Sequence, residues 1–236
     1  MKKILSRFAL GLCAVAVVLL LGGAMYFDSV LKAGVESGAP KLTQSDVRLD
    51  AIGLSLLTGS GRAVGFELGN PAGFHEATAF RCDTATLALQ PFSLFGNKLV
   101  LQHLRLDAAE VVFEGTLETN NLQALIANVN GALNAAAIGH DSAGDGRRLQ
   151  VNEILISGAR VRVVNPEAEG SALTLTLPDI RLSALGTGPD GISGGELTQL
   201  VLEQIHAETL AAVAADFTNR LQRLADQMRT NAPASD

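Results

Sequence analysis

From Val47 onward, apolar and polar residues alternate with a period of two: Val47 and Leu49, then Ile52, Leu54 and Leu56. After Thr58-Gly59-Ser60-Gly61 the alternation resumes at Val64, Phe66 and Leu68. That period belongs to a strand with one face buried, and the glycine-rich interruption makes the pair a hairpin. Asn70-Pro71-Ala72-Gly73-Phe74 reads as a turn, Ala85, Leu87 and Leu89 continue in extended form, and Pro91 to Asn97 turns the chain again.

Two later stretches read as copies of one unit. Residues 98–113 carry Leu99, Leu101, Leu104 and Leu106, then Asp107-Ala108-Ala109 and Val111; residues 148–163 carry Leu149, Ile154 and Ile156, then Ser157-Gly158-Ala159 and Val161. Leu99 matches Leu149, Leu104 matches Ile154, Ala109 matches Ala159, and the apolar parity slips at the same places. The slips predict a bulge near His103 and a tight turn at Asp107-Ala108 and at Ser157-Gly158, which makes each copy a hairpin. Further on, Leu173, Leu175 and Leu177 alternate, Pro178 interrupts, and Ile180 and Leu182 follow. A proline there places the strand at an edge or bulge.

The period changes twice. Leu122, Leu125, Ile126, Val129 and Leu133 fall at helical spacing behind Asn120 or Asn121 as N-cap, predicting a short amphipathic helix. Residues 140–146 are the one candidate internal linker. Ser193-Gly194-Gly195-Glu196 has the form of a capping box opening a long helix over about 194–229. Its stripe is Leu210, Val213, Phe217, Leu221, Leu224 and Met228, which packs on the chain's own sheet, on a partner helix or on a membrane surface.

Before the strands, Phe8 to Phe27 is a run without formal charge, preceded by Lys2, Lys3 and Arg7. A helix of about 20 residues is roughly 30 Å long and spans a bilayer core. The leading cations orient it with the amino terminus in the cytoplasm of a bacterial inner membrane and the bulk of the chain in the periplasm. Gly22-Gly23-Ala24 leaves a cleaved signal peptide as the competing expectation. The organisation expected is thus an anchor (1–27), a juxtamembrane stalk (28–44), a β-rich domain (45–190), a helix (191–229) and a frayed tail (230–236).

Charge narrows the partners. Of 18 Lys and Arg, three precede residue 8, leaving 15 against 24 acids, a net −9 beyond the apolar run. Such a body repels phosphate backbones, so no nucleic-acid partner is expected. There is no Trp and one Tyr to stack on bases or sugars. Cys13 and Cys82 stand alone, and the four histidines show no metal-ligand spacing, so neither a metal nor another cofactor is expected. Gly59-x-Gly61-x-x-x-Gly65 opens no helix and is not a nucleotide cradle. Paired acids such as Asp107 and Glu110 read as solvated faces. The chain is expected not to be an enzyme.

A half-apolar sheet either closes over a dry core or stays open as a trough for an acyl chain, where each buried methylene contributes about 0.8 kcal/mol. The trough candidates are Leu54, Leu56, Phe66, Leu68, Leu87, Leu89, Leu99, Leu101, Leu104, Leu106, Ile154, Ile156, Leu173 and Leu175.

One resemblance sharpens this. The apolar amino-terminal run followed by Asp50-Ala51-Ile52-Gly53-Leu54-Ser55-Leu56-Leu57-Thr58-Gly59-Ser60-Gly61 and Gly65-Phe66-Glu67-Leu68-Gly69-Asn70-Pro71-Ala72-Gly73-Phe74 resembles the start of AsmA-family proteins. Ser93-Leu94-Phe95-Gly96-Asn97-Lys98-Leu99, Leu104-Arg105-Leu106 and Asn121-Leu122-Gln123-Ala124-Leu125 extend the likeness over roughly 1–182. It implies a short member: an anchored periplasmic protein with a curved β-groove, associated with outer-membrane biogenesis or phospholipid traffic. The long members carry many repeats, and this chain has two. The expectation is therefore an α+β protein with an N-terminal transmembrane helix, a strongly twisted antiparallel sheet of about eight to ten strands, and a long C-terminal amphipathic helix. Its function would be handling of lipid or another apolar ligand in the cell envelope. The alternative is a structural module that self-associates or docks to an envelope partner through the last helix.

Overall fold

The computed structural model describes residues 28–29, 32–139, 147–164 and 173–230. The predicted membrane segment, the linker 140–146 and the tail beyond Thr230 lie outside them. Among the described residues no helix is long and apolar enough to cross a membrane.

The elements are α1 (residues 32–43), β1 (Val47–Leu54), β2 (Ser60–Gly69), β3 (Thr78–Leu89), β4 (Lys98–Asp107), β5 (Glu110–Glu114), α2 (Asn121–Gly139), β6 (Arg148–Ser157), β7 (Arg160–Val164), β8 (Leu173–Thr176), β9 (Ile180–Leu185) and α3 (Gly194–Thr230), with a 3-10 turn at Pro91–Phe95. The chain is α+β, with nine strands in one sheet.

The nine strands behave as six long ones. β4 and β5 hold one register against β3 (Ala85 with Leu106, Phe80 with Val111). β6 and β7 hold one offset from β4 and β5, and β9 and β8 hold one register against β6 and β7. Each pair is a single strand with a corner in it. The corners line up across the sheet. At this line successive inward apolar residues are three apart instead of two: Leu49 to Ile52, Ala63 to Phe66, Cys82 to Ala85, Leu106 to Ala109, Ile156 to Ala159 and Leu177 to Ile180; β4, β6 and β9 take a second such step, at Leu101 to Leu104, Val151 to Ile154 and Leu182 to Leu185. Asp50-Ala51, Asp83-Thr84 and Asp107-Ala108 are among the pairs skipped, and Val64, skipped in β2, is left exposed. A step of three flips side-chain parity, so the sheet turns at this line while keeping one face apolar. Gly65 shows the constraint: its φ is +65°, and a Cβ there would collide with the Asp50 side chain.

Two expectations are corrected. The sheet is mixed, not antiparallel throughout, because β4 pairs with β6 and β5 with β7 in parallel. Between them α2 carries the chain back to the end from which it started, and a return crossover of that length makes parallel neighbours. The repeat is likewise not a pair of hairpins: β5 leaves β4 at the corner and pairs with β3 and β7. The two copies lie side by side, Leu99 on Leu149, Leu104 on Ile154 and Leu106 on Ile156, so the offset seen in the sequence is the register of the ladder. The expected bulge is present: partners jump from Ala88–His103 to Leu89–Leu101, leaving Gln102 out. Pro178 falls in the corner between β8 and β9, and both lie at the ends of the sheet path.

All three helices cover the apolar face. Val35, Ala39 and Leu42 of α1, Leu122, Leu125 and Val129 of α2, and Leu202 and Ile205 of α3 belong to the same core as the sheet. The segment expected as a stalk is helical over 32–43 and lies along β1, where Leu49 N–H donates to Glu36 Oε1 (3.2 Å) and Lys32 Nζ donates to the Asp50 carbonyl (3.0 Å). These contacts occupy polar groups of an otherwise open strand edge. The predicted capping box opens α3: Ser193 N–H donates to Glu196 Oε2 (2.6 Å) and Glu196 N–H to Ser193 Oγ (3.1 Å). The Ser193 N–H, then its hydroxyl, holds the Glu196 carboxyl below its usual pKa.

Candidate functional site

Residues directly paired across strands point to the same face, so the ladders show where the trough candidates lie. One ladder runs Leu54, Gly61, Leu87, Leu104, Ile154, Leu182. A second runs Ala63, Ala85, Leu106, Ile156, Ile180. A third joins Leu89, Leu101 and Val151. Beyond the corner, Leu68, Phe80, Val111, Val161 and Leu175 form another, and Phe113, Val163 and Leu173 the last. Phe66 meets the Phe80 ring edge-on, centroids 6.1 Å apart, and Leu99 pairs with Leu149. Every trough candidate except Leu56 therefore shares one apolar face. Leu56 lies past the end of β1 and is exposed.

That face is occupied from within. Ile154 and Ile156 are fully buried, and Leu68, Phe66, Leu101, Leu104 and Leu106 pack in the core that contains the helices. Leu54 and Leu89 are also buried, while Leu87, Leu99, Leu173 and Leu175 are partly buried outside that cluster.

The stripe on α3 divides in two. Leu210 and Val213 pack against the core, whereas Phe217, Leu221, Leu224 and Met228 are between 51 % and 69 % exposed. From Leu210 through Ala214, Phe217, Leu221 and Leu224 to Met228 the spacing alternates four and three, which is the a/d pattern of a helix that pairs with another helix. Among the described residues, the half of α3 beyond Val213 thus carries an apolar seam that the core does not use.

The outer sheet face is polar and largely self-neutralising. Arg48, Glu67, Arg81, Glu110 and Arg160 follow one another across five strands with alternating sign. Arg162 donates two hydrogen bonds to Glu76 (3.0 and 2.8 Å), which hold the Glu76 carboxyl below its usual pKa. His103 and Glu153 meet at 3.1 Å across the repeat.

One acid departs from the expected solvated face. Glu114 is 1 % exposed, and its carboxylate accepts from His75 N–H (2.7 Å), Glu76 N–H (2.9 Å) and Asn70 Nδ2 (3.3 Å), with His75 Nδ1 at 3.1 Å. Asn121 closes the network, accepting from Glu114 N–H (3.0 Å) and donating to Asn70 Oδ1 (2.7 Å) and the Val112 carbonyl (2.8 Å). A buried carboxylate with several donors is a clamp. This one fastens the 70–77 loop to the end of β5 and the start of α2. Nothing beside Glu114 in the sequence marks it, because the donors that bury it lie 38 to 44 residues earlier.

Cys82 is buried, and burial pushes its thiol up in pKa. Among the described residues no group of three His, Cys, Asp or Glu side chains is placed to hold a metal ion.

No family model matches the chain, and no curated protein is significantly similar to it.

Proposed function

We propose that this protein is a non-enzymatic, membrane-tethered module of the bacterial cell envelope, anchored in the inner membrane by the apolar run 8–27, with its folded body in the periplasm. It acts by self-association through the outer half of α3. The observation that carries this is the free seam: Ala214, Phe217, Leu221, Leu224 and Met228 continue a four-three spacing beyond the core. Burying a large apolar side chain contributes about 1.5–3 kcal/mol, so four half-exposed ones supply on the order of 4 kcal/mol per copy in a paired helix.

Lipid handling in the sheet, which the resemblance to the AsmA family implies, has less support. Phospholipid would need α2 or α3 to leave the apolar face before an acyl chain could reach Leu104, Ile154 or Ile156.

The test uses the full chain in native membranes with Cys13→Ser and Cys82→Ala. Added to that background, Leu224→Cys is expected to give a disulfide-linked dimer on mild oxidation, and Gln222→Cys, on the other side of α3, is not. Equal yields at both positions, or none at either, would overturn self-association. Native mass spectrometry showing a monomer carrying phospholipid would restore the lipid function.

A further inference from the structure

The strongest exposed apolar cluster outside α3 is at one end of the sheet. The turn from β1 to β2 is closed by Gly59 N–H to the Ser55 carbonyl (2.7 Å) and Ser55 N–H to the Ser60 carbonyl (2.8 Å), which leaves Leu57 at its tip, 85 % exposed. Beside it the 3-10 turn presents Phe92 and Phe95, 84 % and 90 % exposed. The two turns touch: Leu89 N–H donates to the Gly59 carbonyl (2.7 Å), and a Cβ on Gly59, whose φ is +72°, would strike the Leu89 carbonyl and approach Pro91 Cδ. Glycine is needed there for the close approach as well as for the turn. Leaving two phenylalanines and a leucine this exposed on adjacent loops, in a chain with few aromatics, marks a contact surface.

Two further observations identify what it contacts. Asp28, the residue that follows the apolar run in the sequence, is fixed at this end: its Oδ1 accepts from the N–H of Leu54, the last residue of β1 (3.0 Å). The same end gathers cations on a body that is net −9 beyond residue 27. Lys98 and Arg148 open the neighbouring strands β4 and β6, and Arg62 lies at the start of β2. Arg147 Nη2 donates to the carbonyls of Ser93 (2.9 Å), Leu94 and Gly96 (2.6 Å), which fastens a guanidinium onto the turn that carries both phenylalanines. Of the acids at this end, Asp28 is held on Leu54 N–H and Glu196 in the α3 cap, where it also pairs with Arg148 (3.6 Å), while Asp190 in the loop after β9 is exposed. Exposed Phe and Leu with Arg62, Lys98 and Arg147 around them suit the boundary between anionic headgroups and acyl chains.

We propose that the Leu57 and Phe92–Phe95 turns insert into the surface of the bilayer that holds the anchor, with Arg62, Lys98 and Arg147 at headgroup level. The body would then stand on the membrane by a second contact instead of swinging on its anchor. This rests on residues 8–27 being a membrane anchor.

Because the chain contains no Trp, a single introduced one reports its own site. Full-length Leu57→Trp, Phe95→Trp and, as a control in a different exposed turn, Leu117→Trp are reconstituted into vesicles of phosphatidylethanolamine and phosphatidylglycerol and floated on a density gradient. All three should float. The L57W and F95W proteins should lose more than about half of their indole emission to lipids brominated near the headgroup, matching insertion of about 5–10 Å, while the L117W signal should respond only to aqueous quenchers. Protein that floats with L57W and F95W quenched from water like L117W overturns the surface contact and leaves the anchor standing. Protein that remains in the aqueous fraction overturns both.

Discussion

Removing the Glu114 carboxylate tests whether the loop clamp stabilises the fold as its geometry requires. In Glu114→Ala the N–H groups of His75 and Glu76, now bonded at 2.7 and 2.9 Å, lose their acceptor, and Asn70 Nδ2 loses one of its two. A hydrogen bond to a charged group contributes about 1.5–3 kcal/mol, and an unsatisfied buried donor costs about 1–3 kcal/mol. Water can reach the His75 side, whose ring is 83 % exposed, so one of the two N–H groups is rescued in part. The expected loss is about 3 kcal/mol, a large share of a total stability of roughly 5–15 kcal/mol. Glu114→Gln keeps the volume but turns an amide NH2 toward donors, and should lose about 2 kcal/mol. Glu118→Ala, in the exposed turn that follows, should stay within about 0.5 kcal/mol. Urea unfolding of the full chain in detergent, followed by far-ultraviolet circular dichroism, reads all three. A Glu114→Ala midpoint indistinguishable from that of Glu118→Ala would refute the clamp.

Three further outcomes follow from particular contacts. Ile154→Ala, at a fully buried position where three strands and the helices converge, should lose about 2–5 kcal/mol in the same assay. Ala108 has a φ of +53°, where its counterpart in the second copy is Gly158 at +61°; Ala108→Gly should therefore stabilise by about 0.5 kcal/mol, relief of the left-handed strain outweighing the added freedom of the unfolded chain. Burial lowers the His206 pKa below 6.5, and its Nε2 has no hydrogen-bond partner among the described residues. The unfolded state then binds a proton more readily than the folded one, so stability falls as pH drops below 6.5. Glu76 and Glu196, with lowered pKa values, withdraw their contributions only below about 4.5. Melting temperature against pH should show the first decline in the parent and not in His206→Phe.

The period-two runs, the capping box and the helical spacing of Leu122 to Leu133 were legible because each depends on backbone geometry over a few residues. The parity slips of the two copies were legible for the same reason, although the hairpin they suggested in each copy was wrong. A parity slip marks a corner equally well whether the strand folds back on itself or runs on to a new neighbour. The choice was made by β3, which pairs with both β4 and β5 along one edge.

Sequence by itself determined which residues share a face, because alternation in a strand is a local property, and all trough candidates but Leu56 share one. Tertiary structure alone decided what covers that face: an apolar side chain has the same period whether its neighbour is a lipid tail or Leu125 of α2. It also decided that Glu114, across the strand from Phe113, is covered by a distant loop, and that the α3 stripe is half core and half free. Burial depends on what arrives from elsewhere in the chain, and no local pattern records it.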